Sequence, residues 1–375
     1  MRARSDDSPH DAGSPMPTWL VMLLAVACAL SVANVYYAQP LLDAIGREFG
    51  LDDSAVGIVI TATQLGCALA LLFVVPLGDL LDRRRLMIGQ LGLLVLALGS
   101  VLAAPAERGQ VVGAAQGGVV IGLLLARTVA GLVADAWGWR AVYVVSAALA
   151  ALLAWVLARR LPHRRLPVAD LSYWALLRSL YALMAREPVL RVRGMIALLM
   201  FAAISAFWTA LVLPLSAPPY SLSHTAIGAF GLVGVLGVLM AARAGRWADS
   251  GLGQRTTAAG LLLLCLAWAP IALLEHSLWA LALGVLILDV ALQALHVTNQ
   301  TMIFSISAQA HSRLVGAYMM FYAVGSGLGA IASTAVYARW GWSGVCVLGA
   351  GISLAALLFW AATLPRKAAA HAARC

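Results

Sequence analysis

Apolar residues in this chain come in blocks of about 20, separated by short polar segments, and that spacing limits the possible folds more than any other feature. A block of that length, wound as an α-helix, crosses a hydrocarbon layer ~30 Å thick. Inside lipid the backbone must satisfy its own hydrogen bonds, which leaves helices or closed barrels. No run alternates apolar and polar residues with period two, so a barrel is set aside. Composition agrees: 62% of the 375 residues are hydrophobic and 11% are charged. A soluble chain of this size uses about a quarter charged residues to cover its surface. The expected fold class is an all-α membrane protein, a multi-pass bundle embedded in a lipid bilayer.

The net charge of +9 does not point to nucleic acid. The 25 basic residues, almost all arginine, lie mainly between the apolar blocks, where positive charge orients helices. Cys28, Cys67, Cys265, Cys346 and Cys375 are scattered without a CxxC pair, and four sit in apolar blocks. They read as free thiols acting as small hydrophobes. No metal-ligand cluster, P-loop, nucleophile triad or pair of catalytic carboxylates is present, so neither an enzyme nor an ATP-driven pump is expected, and no cofactor. Residues 1–17 mix Arg2 and Arg4 with Asp6, Asp7 and Asp11. No small-residue cleavage site closes the apolar run from Trp19, which predicts an uncleaved first span.

Spans are predicted near 18–40, 55–77, 86–104, 112–134, 140–159, 194–215, 226–244, 256–274, 278–303, 314–337 and 343–364. A tail (1–17) would precede an N-terminal bundle of five spans (18–159). A basic central loop (160–193) would join it to a six-span C-terminal bundle (194–364) and a second tail (365–375). Within the central loop, Leu171 to Met184 is amphipathic and suited to a membrane surface.

The two halves repeat. Gly78 and Asp82 correspond to Gly245 and Asp249 at an offset of 167 residues. Gly113, Gly122 and Trp137-Gly138-Trp139 correspond to Gly316, Gly325 and Trp340-Gly341-Trp342 at an offset of 203. Parallel repeats of this kind characterise transporters built from two similar bundles. The offsets differ by 36 residues, one span plus a loop. Asp82 to Gly113 holds one predicted span, and Asp249 to Gly316 holds two. The first half therefore lacks a fourth helix, with the join inside Gly99–Ala106.

With these repeats the chain resembles the major facilitator superfamily. GDLLDRRR, with Gly78, Asp82, Arg83, Arg84 and Arg85, is similar to that family's loop between spans 2 and 3. Gly113 to Gly131 is similar to its antiporter-type fifth-span motif, and Asn34 to Pro40 (NVYYAQP) resembles its bacterial drug-, sugar- and nucleoside-efflux branch. The resemblance implies alternating access, export of a small organic solute, a proton gradient as energy source, a monomer and the bacterial inner membrane. It also implies that Gly78, Asp82 and Arg83–Arg85, with Gly245 and Asp249, gate the cytoplasmic side. The same loop also serves as plain positive-inside charge. The family's fourth span carries an arginine tied to proton coupling, and no residues correspond to it here. A competing expectation follows: a non-transporting deletion variant, or a membrane interaction protein.

With both termini cytoplasmic and family topology, 21 basic residues fall inside and only Arg47, Arg140 and Arg339 outside. Eleven strictly alternating spans would instead put the eight arginines from Arg159 to Arg193 outside, against the positive-inside bias. The expectation is that the second half keeps family orientation and the 86–134 region adapts.

Ionisable residues at membrane depth cost roughly 2.5–3.5 kcal/mol on insertion scales and mark candidate sites. Asp289 lies in 278–303 with Gln293, His296 and Gln300 on one helical face. Asp289 is expected to exchange a proton or to bind a cationic or hydroxylated solute. The alternative is a polar stripe satisfied by neighbouring helices. Arg127 reads as a counter-charge to a buried carboxylate or an anionic solute, or as a structural arginine. Asn34, Tyr36, Tyr37 and Gln39 read as an interface belt or a cavity lining. Gln64, Gln116, Trp208, Thr209, Tyr318 and Tyr322 are weaker cavity candidates, since lone polar residues often serve as helix–helix glue.

Overall fold

In a computed structural model, residues 18–73, 122, 125–160, 173–306 and 311–364 are described. Both tails, the Gly78–Arg85 loop, the 86–104 span, most of the 112–124 segment including Gln116, and the presumptive join at 99–106 lie outside the described residues.

The fold is all-α. In chain order the helices are α1 (Thr18–Tyr36), α2 (Leu42–Phe49), α3 (Ile58–Phe73), α4 (125–137), α5 (Trp139–Arg160), α6 (Tyr173–Arg186) and α7 (Pro188–Ala210). They continue as α8 (Val212–Ser216), α9 (His224–Ala229), α10 (Val235–Trp247), α11 (Gly253–Leu266), α12 (Trp268–Ala272), α13 (Leu278–Phe304) and α14 (His311–Thr363). Six helical stretches among the described residues are long and apolar enough to cross a membrane: Val21–Phe49, Trp139–Val156, Pro188–Ser216, Arg243–Ala272, Leu278–Phe304 and Arg313–Thr363. The last holds two predicted spans, divided at Gly341, whose φ of 61° and ψ of −157° break the helix. Gly138, its counterpart in the first-half Trp-Gly-Trp, also has positive φ, 82°. The repeated tripeptide is a repeated turn, with glycine where a β-carbon would be strained.

Local chemistry sets the helix ends. The Ser223 and Ser277 hydroxyls accept from the backbone N–H groups of Ala226 (3.2 Å) and Ala280 (3.3 Å), capping α9 and α13. Pro188 opens α7, where its fixed φ suits a first turn and its missing N–H costs nothing. That start shortens the basic segment expected to run to residue 193. Arg191 and Arg193 fall within α7, and Arg193 is turned inward at 2% exposure. The amphipathic stretch before it is helical, as α6.

Helix direction follows from contacts along the chain. Gly122 packs on Ala29, Arg127 lies beside Tyr36 and, through its Nε, bonds Gln39, and His224 bridges Asp135 and Asp43. α1 and α4 therefore run parallel and finish at the same end, here called the Asp43 end. Leu51 N–H bonds Gly46 and Ser54 C=O accepts from Thr334, so α3 starts at the Asp43 end and runs away from it. α5 starts there too, with Arg140 on Glu48, and returns to the end where α1 began. α7 runs back toward the Asp43 end, so α6 and Arg193 lie at the end where α1 begins.

The second half holds the larger core. Phe207 stands near Trp268 (centroids 6.3 Å) and Trp342 (6.1 Å), with edge-on ring geometries. Each indole N–H is satisfied: Trp268 donates to Ser353 Oγ (3.0 Å) and Trp342 to Ile271 C=O (3.0 Å). A smaller apolar cluster in the first half joins Ala33, Tyr37, Leu41 and Ile45 to Ala126 and Ala130. Where the halves meet, close approach needs glycine. A β-carbon on Gly131 would strike the His224 carbonyl, and one on Gly228 the Arg127 carbonyl.

Candidate functional site

Arg127 projects from α4 and retains 5% exposure. Its Nε donates to Gln39 Oε1 at 2.7 Å. The guanidinium lies 3.9 Å from the Trp208 ring centroid and 5.0 Å from that of Tyr36. One face is thus covered by an indole from the second half, an arrangement worth about 2 kcal/mol when desolvated. The Tyr36 and Tyr322 hydroxyls meet at 2.8 Å, and Gln64 Nε2 donates to Tyr322 Oη at 3.4 Å. Residues from α1, α3 and α4 therefore join residues from α7 and α14 across the boundary between the halves.

Asp289 comes from the middle of α13 and is 9% exposed. Gly237 of α10 packs on its backbone, where a β-carbon would lie 3.0 Å from the Asp289 carbonyl. The Asp289 and Arg127 charges act on each other electrostatically without forming a direct ion pair. Gln293 is buried on the same face. His296 follows, its Nδ1 3.0 Å from Tyr318 Oη and its ring edge-on to Phe201 at 5.4 Å. Phe201 in turn stands edge-on to Tyr322 at 4.4 Å, linking the α13 stripe to the tyrosine pair.

Not every expected residue joins this group. Asn34 is exposed, one residue away from the buried Ala33 that faces α4. Tyr37 packs in the apolar cluster, and its neighbours Tyr36 and Gln39 supply the polar contacts instead. A helix turns about 100° per residue, so adjacent positions face different surroundings. Gln300 is half-buried and Thr209 fully buried with its hydroxyl unpaired. Gly245 packs near Val297, and Asp249 is exposed in the wide turn Ala248–Leu252 that ends α10. Their first-half counterparts lie outside the described residues.

Two features escaped the sequence reading. Arg193, counted there among loop arginines, donates from Nη1 to Thr257 Oγ1 (2.7 Å) and Asn299 Oδ1 (3.4 Å) inside the second half. Asn299 lies one helical turn past His296 on α13, and His296 Nδ1 meets Tyr318 Oη at 3.0 Å. The only sequence signal for Arg193 was a position five residues past a helix-opening proline.

The second is a clamp at the Asp43 end, just past the predicted spans 18–40 and 112–134 and ahead of 226–244. Asp135 Oδ1 accepts from the His224 backbone N–H (3.1 Å) and lies 2.8 Å from His224 Nδ1. Its Oδ2 accepts from Thr225 N–H (2.9 Å) and Oγ1 (2.6 Å). His224 Nε2 stands 3.1 Å from Asp43 Oδ1. Partial burial pushes the Asp135 carboxyl up, but the hydrogen bonds from Thr225 and His224 outweigh it and bring it down to about 2. The bond to Asp43, opposed by burial and aided by Asp135, raises His224. No single short motif marks this site, because its three members are 43, 135 and 224 in sequence.

The profile of the Major Facilitator Superfamily matches residues 23–106, 100–256 and 195–374. The uncharacterized transporter YgaY of Escherichia coli O157:H7 is 41% identical over 384 aligned positions, covering 94% of this chain and 97% of that one. A relative named as a transporter, SCO4007 of Streptomyces coelicolor, is 31% identical over 404 positions, covering 98% and 92%. Among solved structures, a bacterial homolog of the human lysosomal transporter Spinster, inward-facing and unoccupied, aligns with TM-score 0.67 at 14% identity, over 92% of this chain and 96% of that one. The nucleoside transporter NupG aligns with TM-score 0.65 at 15% identity, over 92% and 99%. The all-α architecture, the repeat and these matches agree: this chain is a multi-pass membrane protein that belongs to the Major Facilitator Superfamily.

Proposed function

We propose that the protein is a secondary transporter of the bacterial inner membrane that exports a small organic solute by proton-coupled alternating access, as a monomer. The observation that carries this reading is the placement of Arg127 and Asp289. Arg127 of the first half lies buried among Gln39, Tyr36 and Trp208, and Asp289 of the second half is buried within electrostatic reach of it. A solute held there touches both halves, so their rocking about it exposes it to one side and then the other. Asp289 is the group to exchange a proton, since among the described contacts it has no hydrogen bond holding it in one state. The clamp of His224 on Asp43 and Asp135 suits a closed outer end. Export rests on the NVYYAQP resemblance, with the Gly78–Arg85 loop and its Gly245–Asp249 counterpart gating the inner side.

The chain on this reading also lacks the fourth span. The alignment with SCO4007 has 404 positions for 98% of 375 residues, about 368, leaving about 36 positions without a residue here. For YgaY, 384 positions against about 352 residues leave about 32. The first profile match stops at 106 and the second starts at 100, at the join inferred from the repeat. α3 leaves the Asp43 end while α4 runs toward it.

That gap also favours a second reading, a carrier that no longer transports. Efflux from loaded cells, measured for a panel of small drugs, sugars and nucleosides with and without a protonophore, separates the two. Export that collapses with the proton gradient, and in Asp289→Asn inserted at normal level, supports the first. Absence of export for every solute supports the second.

A further inference from the structure

We infer that the solute held between the halves is a small zwitterion, its anionic group on Arg127 and its cationic group on Asp289; this deepens the transport reading above and rests on it. The inference starts from what the two side chains leave unused. Arg127 donates from Nε to Gln39 and lays one face on Trp208, and among the described residues its two terminal nitrogens make no hydrogen bond. Those nitrogens are not among the fully enclosed polar atoms that lack partners, although such atoms do occur at Gln64, Ser205, Thr209, Thr298 and Asn299. The Arg127 side chain as a whole keeps 5% exposure. The paired terminal nitrogens form the planar edge that takes a carboxylate in two parallel hydrogen bonds.

Asp289 is in the same condition with opposite sign. It retains 9% exposure and, among the described residues, makes no hydrogen bond or ion pair. The two groups sense each other electrostatically but are not in ion-pair contact. A buried charge without a partner is costly, and a ligand gains most by supplying what is missing at each end. A simple cation would pair Asp289 and leave Arg127 as an uncompensated charge beside it. A simple anion would do the reverse. A molecule carrying both signs pairs both side chains and leaves the occupied site neutral. Because Arg127 belongs to α4 and Asp289 to α13, such a ligand also bridges the halves, and neither half alone offers both partners.

The experiment uses the full-length protein in detergent and measures thermal stabilisation and affinity for each of the twenty L-amino acids. Their methyl esters, which keep only the positive charge, and their N-acetyl derivatives, which keep only the negative, are measured in parallel. The expected result is at least one amino acid binding 10-fold or more tightly than both of its derivatives. Asp289→Asn should then lose the preference over the N-acetyl form, and Arg127→Gln the preference over the ester. Asp289→Glu and Arg127→Lys keep the charges and serve as folded controls. The inference is overturned if an ester or an N-acetyl form binds as tightly as its parent, or if no amino acid binds. Protonophore-sensitive export of a singly charged or neutral solute would leave the transport reading standing while this inference fell.

Discussion

The His224 imidazole is held 2.8 Å from Asp135 by one nitrogen, and its other nitrogen reaches Asp43 at 3.1 Å, so a single ring ties the first turn of α9 to the last turn of α4 and to α2. The sign of its pH response follows from its raised affinity for a proton. The clamp's charge-assisted bonds are fully present below the ordinary histidine value of about 6.5 and are lost as pH rises through the higher value of the closed state. Asp135 acts in the opposite sense. Its contribution is present above the ordinary carboxylate range and lost only as pH falls through about 2. Spin labels at Leu51 and Ala217, both exposed near this end, should report a narrower and shorter distance at about pH 6 than at about pH 8.5. His224→Gln should flatten the dependence; an unchanged pH response in that variant would remove His224 as its source.

Asp135 receives four of the clamp's hydrogen bonds, so Asp135→Ala should open this end more than Asp43→Ala does. Bonds to a charged acceptor are each worth about 1.5–3 kcal/mol when buried, and partial exposure places this cluster at the lower end. The Leu51–Ala217 spin-label distance would read the opening directly.

The crossing of α4 and α9 leaves no room for a side chain at Gly228, which packs on the Arg127 carbonyl. Gly228→Val should separate the halves at this point and cost about 1–3 kcal/mol through overpacking. The loss should appear in the same spin-label distance, with the second-half core unaffected.

Trp208 covers the Arg127 guanidinium from the opposite half. Trp208→Ala should lower the melting temperature in detergent by an amount equivalent to about 3–5 kcal/mol, combining lost burial with lost cation–π attraction. Trp208→Phe should retain part of it. Equal losses in Arg127→Gln and in the Arg127→Gln, Trp208→Ala double variant would show that the indole acts through the guanidinium.

Arg193 is enclosed in the second half with Thr257 and Asn299 as its hydrogen-bond acceptors. Thr257→Val removes the nearer acceptor at almost constant volume and should destabilise by about 2–3 kcal/mol, the cost of a buried donor left short of partners. Arg193→Lys should not rescue a wild-type melting temperature, because one ammonium cannot reproduce the planar guanidinium.

Much of the fold was readable before any coordinates. Runs of apolar residues long enough for a bilayer, the paired Trp-Gly-Trp turns and the basic segment before Pro188 are local features, and local backbone chemistry sets helix existence and ends. The internal repeat exposed a 36-residue difference in spacing between the halves. Asp289 and Arg127 stood out for the same kind of reason: a charge inside an apolar block is visible one residue at a time.

Which residues meet was a matter for the tertiary structure alone. Tyr36 rather than Tyr37 reaches Tyr322, since helical phase is fixed by the neighbour each face packs against. Arg193 looked like one more loop arginine until α7 carried it inward against Thr257. The clamp joins positions 43, 135 and 224, and Trp208 covers an arginine 81 residues earlier in the chain. Sequence determined that this chain would build membrane helices in two related halves, because that depends on length and local apolarity. The charged pair, the clamp and the buried arginine depend on how helices distant in the chain rotate and cross, and only packing decides that.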